Sequence, residues 1–266
     1  MTDKIDFLDD GISVVSLVDR MINDHALKVA NTARASYDNK SSVFETRDQK
    51  LTKFLWEHEH TSPFRHSYYT FELSLPIFVA RQMMKYQVGS GFRSYEVNGE
   101  EVTVDAFDHF YDIDKGCSWN ETSGRYVQTS EEYHLPKELR SNPGHGNKQS
   151  SGEYKNPLTK KDLYYFDEDN IKHLMESHCR EAMGLYHKLI KNGVAKEIAR
   201  MILPQNMYTK VCWTISLQSV IWFLHQRLKP DAQYEIRALA EGIYTLISDD
   251  LTRLGLDKET LWPLNV

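Results

Sequence analysis

The chain has 266 residues, of which 41% are hydrophobic, 12% aromatic and 26% charged, and its 32 basic against 38 acidic side chains give a formal net charge of −6. That balance is globular: it excludes disorder, collagen, coiled coil or a disulfide scaffold as the main description, and the length admits one large domain or two small ones. The acid excess lacks the broad cationic surface that holds nucleic acid, and the longest apolar stretches, such as Pro76-Ile77-Phe78-Val79-Ala80, are too short to span a bilayer, so neither partner is expected.

In chain order, residues 14–36 and 47–59 read as helices, the second with Leu51, Phe54 and Leu55 at helical spacing and Asp48 as a cap. Residues 67–74 have the aromatic and β-branched content of a strand, and Pro76 then starts a helix to about Tyr86. From 88 to 117 two basic residues, Arg93 and Lys115, face seven acidic ones, and Asn98-Gly99 suggests a hairpin turn inside this acidic stretch. Residues 141–160 concentrate Asn, Gly, Ser, Pro and Lys and read as an exposed loop. Helices then follow over 171–190, capped by Asp169 or Asn170 and ended by Asn192-Gly193, over 194–203, over 216–228 and over 232–254.

The N-terminus lacks the basic region and apolar core of a secretory signal. Cys117, Cys179 and Cys212 are odd in number and widely spaced, which fits a reducing cytosol better than a disulfide framework or a zinc site. Three segments carry unusual polar density. His58 to His66 clusters three histidines without a metal-site spacing, so no metal is assigned. Ser118 to Tyr126 gathers an amide, a carboxylate, hydroxyls and Arg125 around Gly124, a composition for a phosphate and a heterocycle, or else a capping box and surface loop. Arg200 and Arg227 sit among apolar residues, where each needs an acid such as Glu197 or Glu235, a carbonyl array or a bound anion.

Taken together, His60-Thr61-Ser62-Pro63-Phe64, Pro76-Ile77-Phe78-Val79-Ala80-Arg81-Gln82, Ser118 to Tyr126, Ala199 to Pro204, Trp213-Thr214 and Ala232 to Arg237 occur in one order over about residues 14–250. This arrangement resembles the flavin-dependent thymidylate synthases, marked by R-H-R-x-x-S-x-N-E-x-S-x-R-Y. The chain departs from that pattern in carrying Lys85-Tyr86-Gln87 in place of R-H-R, followed by about 28 extra residues, so that Ser90 or Ser118 fills the first motif serine.

The resemblance implies an α+β subunit, mixed helices around a central, mostly antiparallel sheet, acting as one domain over 1–266 and assembled as a homotetramer. It implies reductive methylation of dUMP to dTMP with methylenetetrahydrofolate, FAD and NADPH, in the cytoplasm, which is a host's if the chain is virus-encoded. Carried over by position, Gln82, Lys85, Glu121, Ser123, Gly124, Arg125, Arg200 and Arg227 would hold the nucleotide, with Arg227 the catalytic electrostatic group. His60, Ser62, Lys85, Tyr86, Gln87, Glu121, Ser216, Leu217, Gln218 and Trp222 would approach the flavin or folate. Lys85 keeps one cation of the R-H-R pattern without its planar fork, and Tyr86 and Gln87 remove the remaining positive charge, which implies weaker FAD binding or a rearranged diphosphate site. The acidic insertion is expected away from the phosphates, at a tetramer rim or as a lid, with the rim preferred. Hydroxymethylation of a pyrimidine deoxynucleotide, or a nucleotide-binding protein without catalysis, are the alternatives.

Overall fold

The computed structural model describes residues 4–84, 93–97, 100–104, 117–127, 130–141, 151 and 168–257. Its central sheet is antiparallel and, among the described residues, holds five strands, which lie side by side as β1 (Lys4–Asp6), β2 (Val14–Arg20), β3 (Tyr68–Pro76), β7 (Tyr208–Ser216) and β6 (Cys117–Glu121). A separate two-stranded sheet joins β4 (Arg93–Val97) and β5 (Glu100–Val104), which bears out the hairpin read around Asn98-Gly99, although the turn itself lies outside the described residues.

Residues 14–20 are a strand where the sequence suggested a helix. Val15 and Leu17 are buried while Val14 and Ser16 are half-buried, an alternation of period 2 that a sheet can use and a helix cannot. The helix begins only at α1 (His25–Arg34), where the Asp24 side chain accepts from the Leu27 N–H. In α2 (Thr46–Glu57) Asp48 stands at the third helical position and completes a capping box with Glu45, and its buried carboxylate also pairs with Arg34.

Pro76 closes β3, and α3 (Ile77–Met84) starts one residue later. Helix α4 (Glu168–Lys191) starts before both proposed caps, so Asp169 and Asn170 lie inside it, and Gly193, at φ 84°, follows its end as expected. The segment from 194 to 203 shortens to a single turn, α5 (Lys196–Ala199), continued as a 3-10 turn over Arg200–Ile202. Two helices, α6 (Leu217–Arg227) and α7 (Tyr234–Leu254), complete the described order.

The core lies between one sheet face and α1, α6 and α7, with Val15, Phe71, Trp213, Ile215, Phe223 and Ile243 wholly buried. Helix α7 approaches β2 so closely that a Cβ at Gly242 would stand 3.1 Å from Val15 Cγ1. Trp213 is the largest of the wholly buried side chains among the described residues, edge-on to Phe223 at 5.5 Å between ring centroids. Trp213→Ala should destabilise the protein by about 3–5 kcal/mol, read as a fall in the urea midpoint without a change in slope. The opposite face carries Glu72, Lys210 and Cys212 to solvent, so polar groups alternate with core residues along β3 and β7.

Candidate active site

The polar run from Ser118 is part strand and part turn. Its first residues belong to β6, where Glu121 pairs with Val211, and the chain then turns: Thr122 N–H donates to the Lys210 carbonyl at 2.9 Å, and the Tyr126 N–H to the Ser123 carbonyl at 3.0 Å. No helix follows this turn among the described residues, so no capping box forms there, while the surface-loop half of that alternative fits the exposed Thr122, Arg125 and Tyr126. Ser123 Oγ accepts from the Arg125 backbone N–H at 3.3 Å and from its Nε at 3.4 Å, while the guanidinium lies 5.1 Å over the Tyr126 ring. A hydroxyl and a planar cation are thereby presented together at the surface. Glu121 Oε1 accepts from Thr209 Oγ1 at 2.8 Å, which ties the carboxylate to β7.

Beside this turn opens a cleft of about 810 Å³. Three residues named from the sequence, Glu121, Gly124 and Arg200, line it, and so do Arg81 and Lys210, which sequence reasoning missed. Arg81 had a usable signal, since helical spacing places it with Ile77, Ala80 and Met84 on one face of α3. Lys210 had none while β7 was unread as a strand. Glu132 and Glu197 add carboxylates, so the described lining offers anion-binding guanidinium and ammonium groups alongside acceptors for ring or sugar donors. Arg200 is exposed on its 3-10 turn, which corrects the expectation of a guanidinium needing a buried partner. Glu235, one of the acids suggested for it, is bound instead to Arg140 at 2.5 Å.

Gln82 projects elsewhere on α3. Its Nε2 donates to Gln233 Oε1 at 2.5 Å, and Gln233 Nε2 donates to Glu235 Oε2 at 2.9 Å. Burial pushes the Glu235 carboxyl up, but the neighbouring His134 ring and Arg140 guanidinium more than offset this and hold it at about 2. His134 stands between Glu235, at 3.7 Å, and Asp10, at 3.9 Å; Asp10 in turn accepts from the Tyr208 hydroxyl at 2.6 Å. Burial raises the Asp10 carboxyl too, yet hydrogen bonds from Tyr208 and Ser13 leave it below its ordinary value. Arg227 ends α6, half-buried, in the last helical turn, where the dipole favours a cation. Neither Gln82 nor Arg227 is among the described residues lining the cleft.

The residues assigned to the flavin fall near the start of α6. His60 and Ser62 are exposed at a short 3-10 helix, Ser62–His66, that packs on α6, and the Leu217 N–H donates to the Ser67 carbonyl at 2.8 Å. Ser216 caps α6 through its Oγ, and the Leu217 side chain is wholly in the core, so neither side chain is presented to a ligand. Gln218 Oε1 is buried with no hydrogen-bond partner among the described residues, and Trp222, 42% exposed, stacks on His225 with planes 18° apart. An unsatisfied acceptor and an exposed aromatic face fit the donors and flat ring of a flavin. Lys85, Tyr86, Gln87 and Ser90 lie outside the described residues, as does most of 141–160. His58 caps α2, its Nδ1 2.9 Å from the Phe54 carbonyl, and no cluster of metal-binding side chains occurs among the described residues.

Residues 16–251 match the family model described as thymidylate synthase complementing protein. Flavin-dependent thymidylate synthases of Kosmotoga olearia and Thermus thermophilus are each 32% identical to the chain, over 86% and 92% of it and 82% and 74% of their own lengths. That of Wolbachia pipientis wMel is 34% identical over 88% of the chain and 69% of its own length. The chain belongs to the flavin-dependent thymidylate synthase family. Its fold also matches the UMP/dUMP methylase PolB of Streptomyces cacaoi, crystallised with 5-Br dUMP, at a TM-score of 0.65, 23% identity and coverage of 91% of this chain and 96% of that one.

Proposed function

We propose that this enzyme methylates dUMP to dTMP, taking the carbon from methylenetetrahydrofolate and the electrons from NADPH through FAD. The observation that carries the nucleotide assignment is the cleft on which Glu121, Gly124 and Arg200 converge with Arg81 and Lys210. The Ser123–Arg125 turn and Arg200 would compensate the phosphate, the fork of each guanidinium matching two of its oxygens. Glu121 and Glu132 would accept from sugar or base donors.

Arg227 would act on the ring. Carbon 5 of uracil becomes nucleophilic as negative charge develops on N3 and O2, and a fixed guanidinium beside those atoms stabilises that charge without itself moving a proton. His60, Ser62, Gln218 and Trp222 would hold the flavin, with Lys85, Tyr86 and Gln87 toward its diphosphate. Bound flavin would supply the reducing equivalents that turn the transferred carbon into a methyl group. With Gln82 and Arg227 outside the cleft's described lining, a site assembled from several subunits of a homotetramer would bring them to the nucleotide, and the acidic insertion would sit at the tetramer rim, because its carboxylates beside the phosphates would oppose binding. Residues 1–266 would act as one domain in the cytoplasm.

The test is dUMP binding to the FAD-loaded protein by calorimetry. Arg200→Ala should weaken dUMP about ten- to a hundredfold, the loss of a charge-assisted contact, and deoxyuridine much less. Equal losses for nucleotide and nucleoside would remove Arg200 from the phosphate.

A further inference from the structure

We propose that Gln233 is a positioning residue that dictates which end of the Gln82 amide faces the nucleotide, so that Gln82 offers its carbonyl oxygen and recognises a hydrogen-bond donor of the base or sugar rather than the phosphate. The inference rests on the assignment of Gln82 to the nucleotide.

Glu235 is 2% exposed. An ionised carboxylate only accepts, and a guanidinium only donates, so the Arg140 Nη2 contact on Oε1 has one possible sense. The Gln233 group 2.9 Å from Oε2 must then be its NH₂, because its carbonyl there would set oxygen against oxygen out of water. That turns Gln233 Oε1 toward α3. Against a carbonyl oxygen at 2.5 Å only the NH₂ of Gln82 fits. Two side-chain amides, each of which keeps its shape when flipped, are thus oriented in series by one buried charge.

What remains is Gln82 Oε1, which accepts no hydrogen bond from the described residues. A phosphate oxygen placed there would be repelled, whereas an N–H or O–H would be bound. dUMP has two such groups, the base N3–H and the 3′-hydroxyl, and with Arg227 beside N3 the 3′-hydroxyl is the one left for Gln82. The contact is held in register by Gln233, which precedes α7, by Glu235 in its first turn, and by Arg140 from the 130–141 segment.

Calorimetric titration of dUMP onto the FAD-loaded protein tests this with Gln82→Met, Gln233→Met, the double variant and Glu235→Gln. Each single glutamine variant should weaken dUMP by about five- to tenfold, the worth of one hydrogen bond, raising KM while kcat at saturation and FAD affinity stay within about twofold. The double variant should bind no more weakly than Gln82→Met alone, since both changes remove one contact. Wild-type dUMP affinity in Gln233→Met, or a double variant whose loss is the product of the two single losses, overturns the relay. Should Gln233→Met not fold, Glu235→Gln decides. Its neutral amide both donates and accepts, which frees Gln233 to flip, so dUMP should weaken with FAD unchanged, and unaltered dUMP affinity overturns the proposal. A wild-type protein that neither binds dUMP nor forms dTMP is a separate failure, that of the thymidylate synthase assignment itself, and it takes the relay with it.

Discussion

Arg227→Ala should lower kcat for dTMP formation by about a hundred- to a thousandfold, the range seen when a preorganised stabiliser of developing negative charge is removed. The fold should survive, because Arg227 is the last residue of α6 and only half-buried, and the Leu228 N–H still closes the helix on the Leu224 carbonyl. A change of less than about 1 kcal/mol in unfolding free energy is expected. Arg227→Lys should recover little, since an ammonium is a single compact donor centre and cannot span two ring atoms as a planar fork does. Steady-state kinetics with denaturant melts on the same samples checks this. Near-wild-type kcat in the alanine variant would remove Arg227 from the chemistry.

Glu235→Ala should be the more damaging change to stability, by about 3 kcal/mol, the low end of the cost of breaking a buried pair. The side chain is buried and gathers Arg140 and Gln233, with His134 near by, so its loss strands their donors. The low end applies because Arg140 retains 24% exposure and can turn to water. The pH dependence follows from the direction of the shift. The folded carboxyl is depressed to about 2 from an ordinary 4.5, so the stability it contributes is complete above 4.5 and drains away as pH falls toward 2. Thermal melts near neutrality and at about pH 3 should therefore show the wild type losing more of its margin on acidification than Glu235→Gln. Parallel losses in the two proteins would mean that Glu235 does not carry this part of the acid sensitivity.

The sequence made α4, α6 and α7 legible because long runs with one apolar face leave little alternative, and β3 because its aromatic and β-branched residues cluster. It hid β2 and β7. In β2 the short run Val14-Val15-Ser16-Leu17-Val18 satisfies helical and strand patterns alike, and only pairing with β3 decides between them. β7 is central, bonded to β3 on one side and β6 on the other, and its alternation is masked by Thr209, Thr214 and Ser216 at inward or half-buried positions.

The same limit applied to the site. Motif resemblance located Glu121, Gly124 and Arg200 without any geometry. Arg81 and Gln82 are neighbours in sequence yet go to different surroundings, a separation that only the rotation of α3 produces. The Gln82–Gln233–Glu235–Arg140 chain joins residues from distant parts of the sequence, and no local spacing announces it.

The most direct measurement is an anaerobic titration of the purified protein with FAD and NADPH, followed by dUMP and methylenetetrahydrofolate, reading the flavin spectrum and the product mass together. The predicted results are reduction of the flavin, reoxidation that depends on both substrates, and a product about 14 mass units heavier than dUMP, one CH₂ added, formed far faster than without the enzyme. A hydroxymethyl mass, or dUMP binding without flavin reduction, would contradict the account.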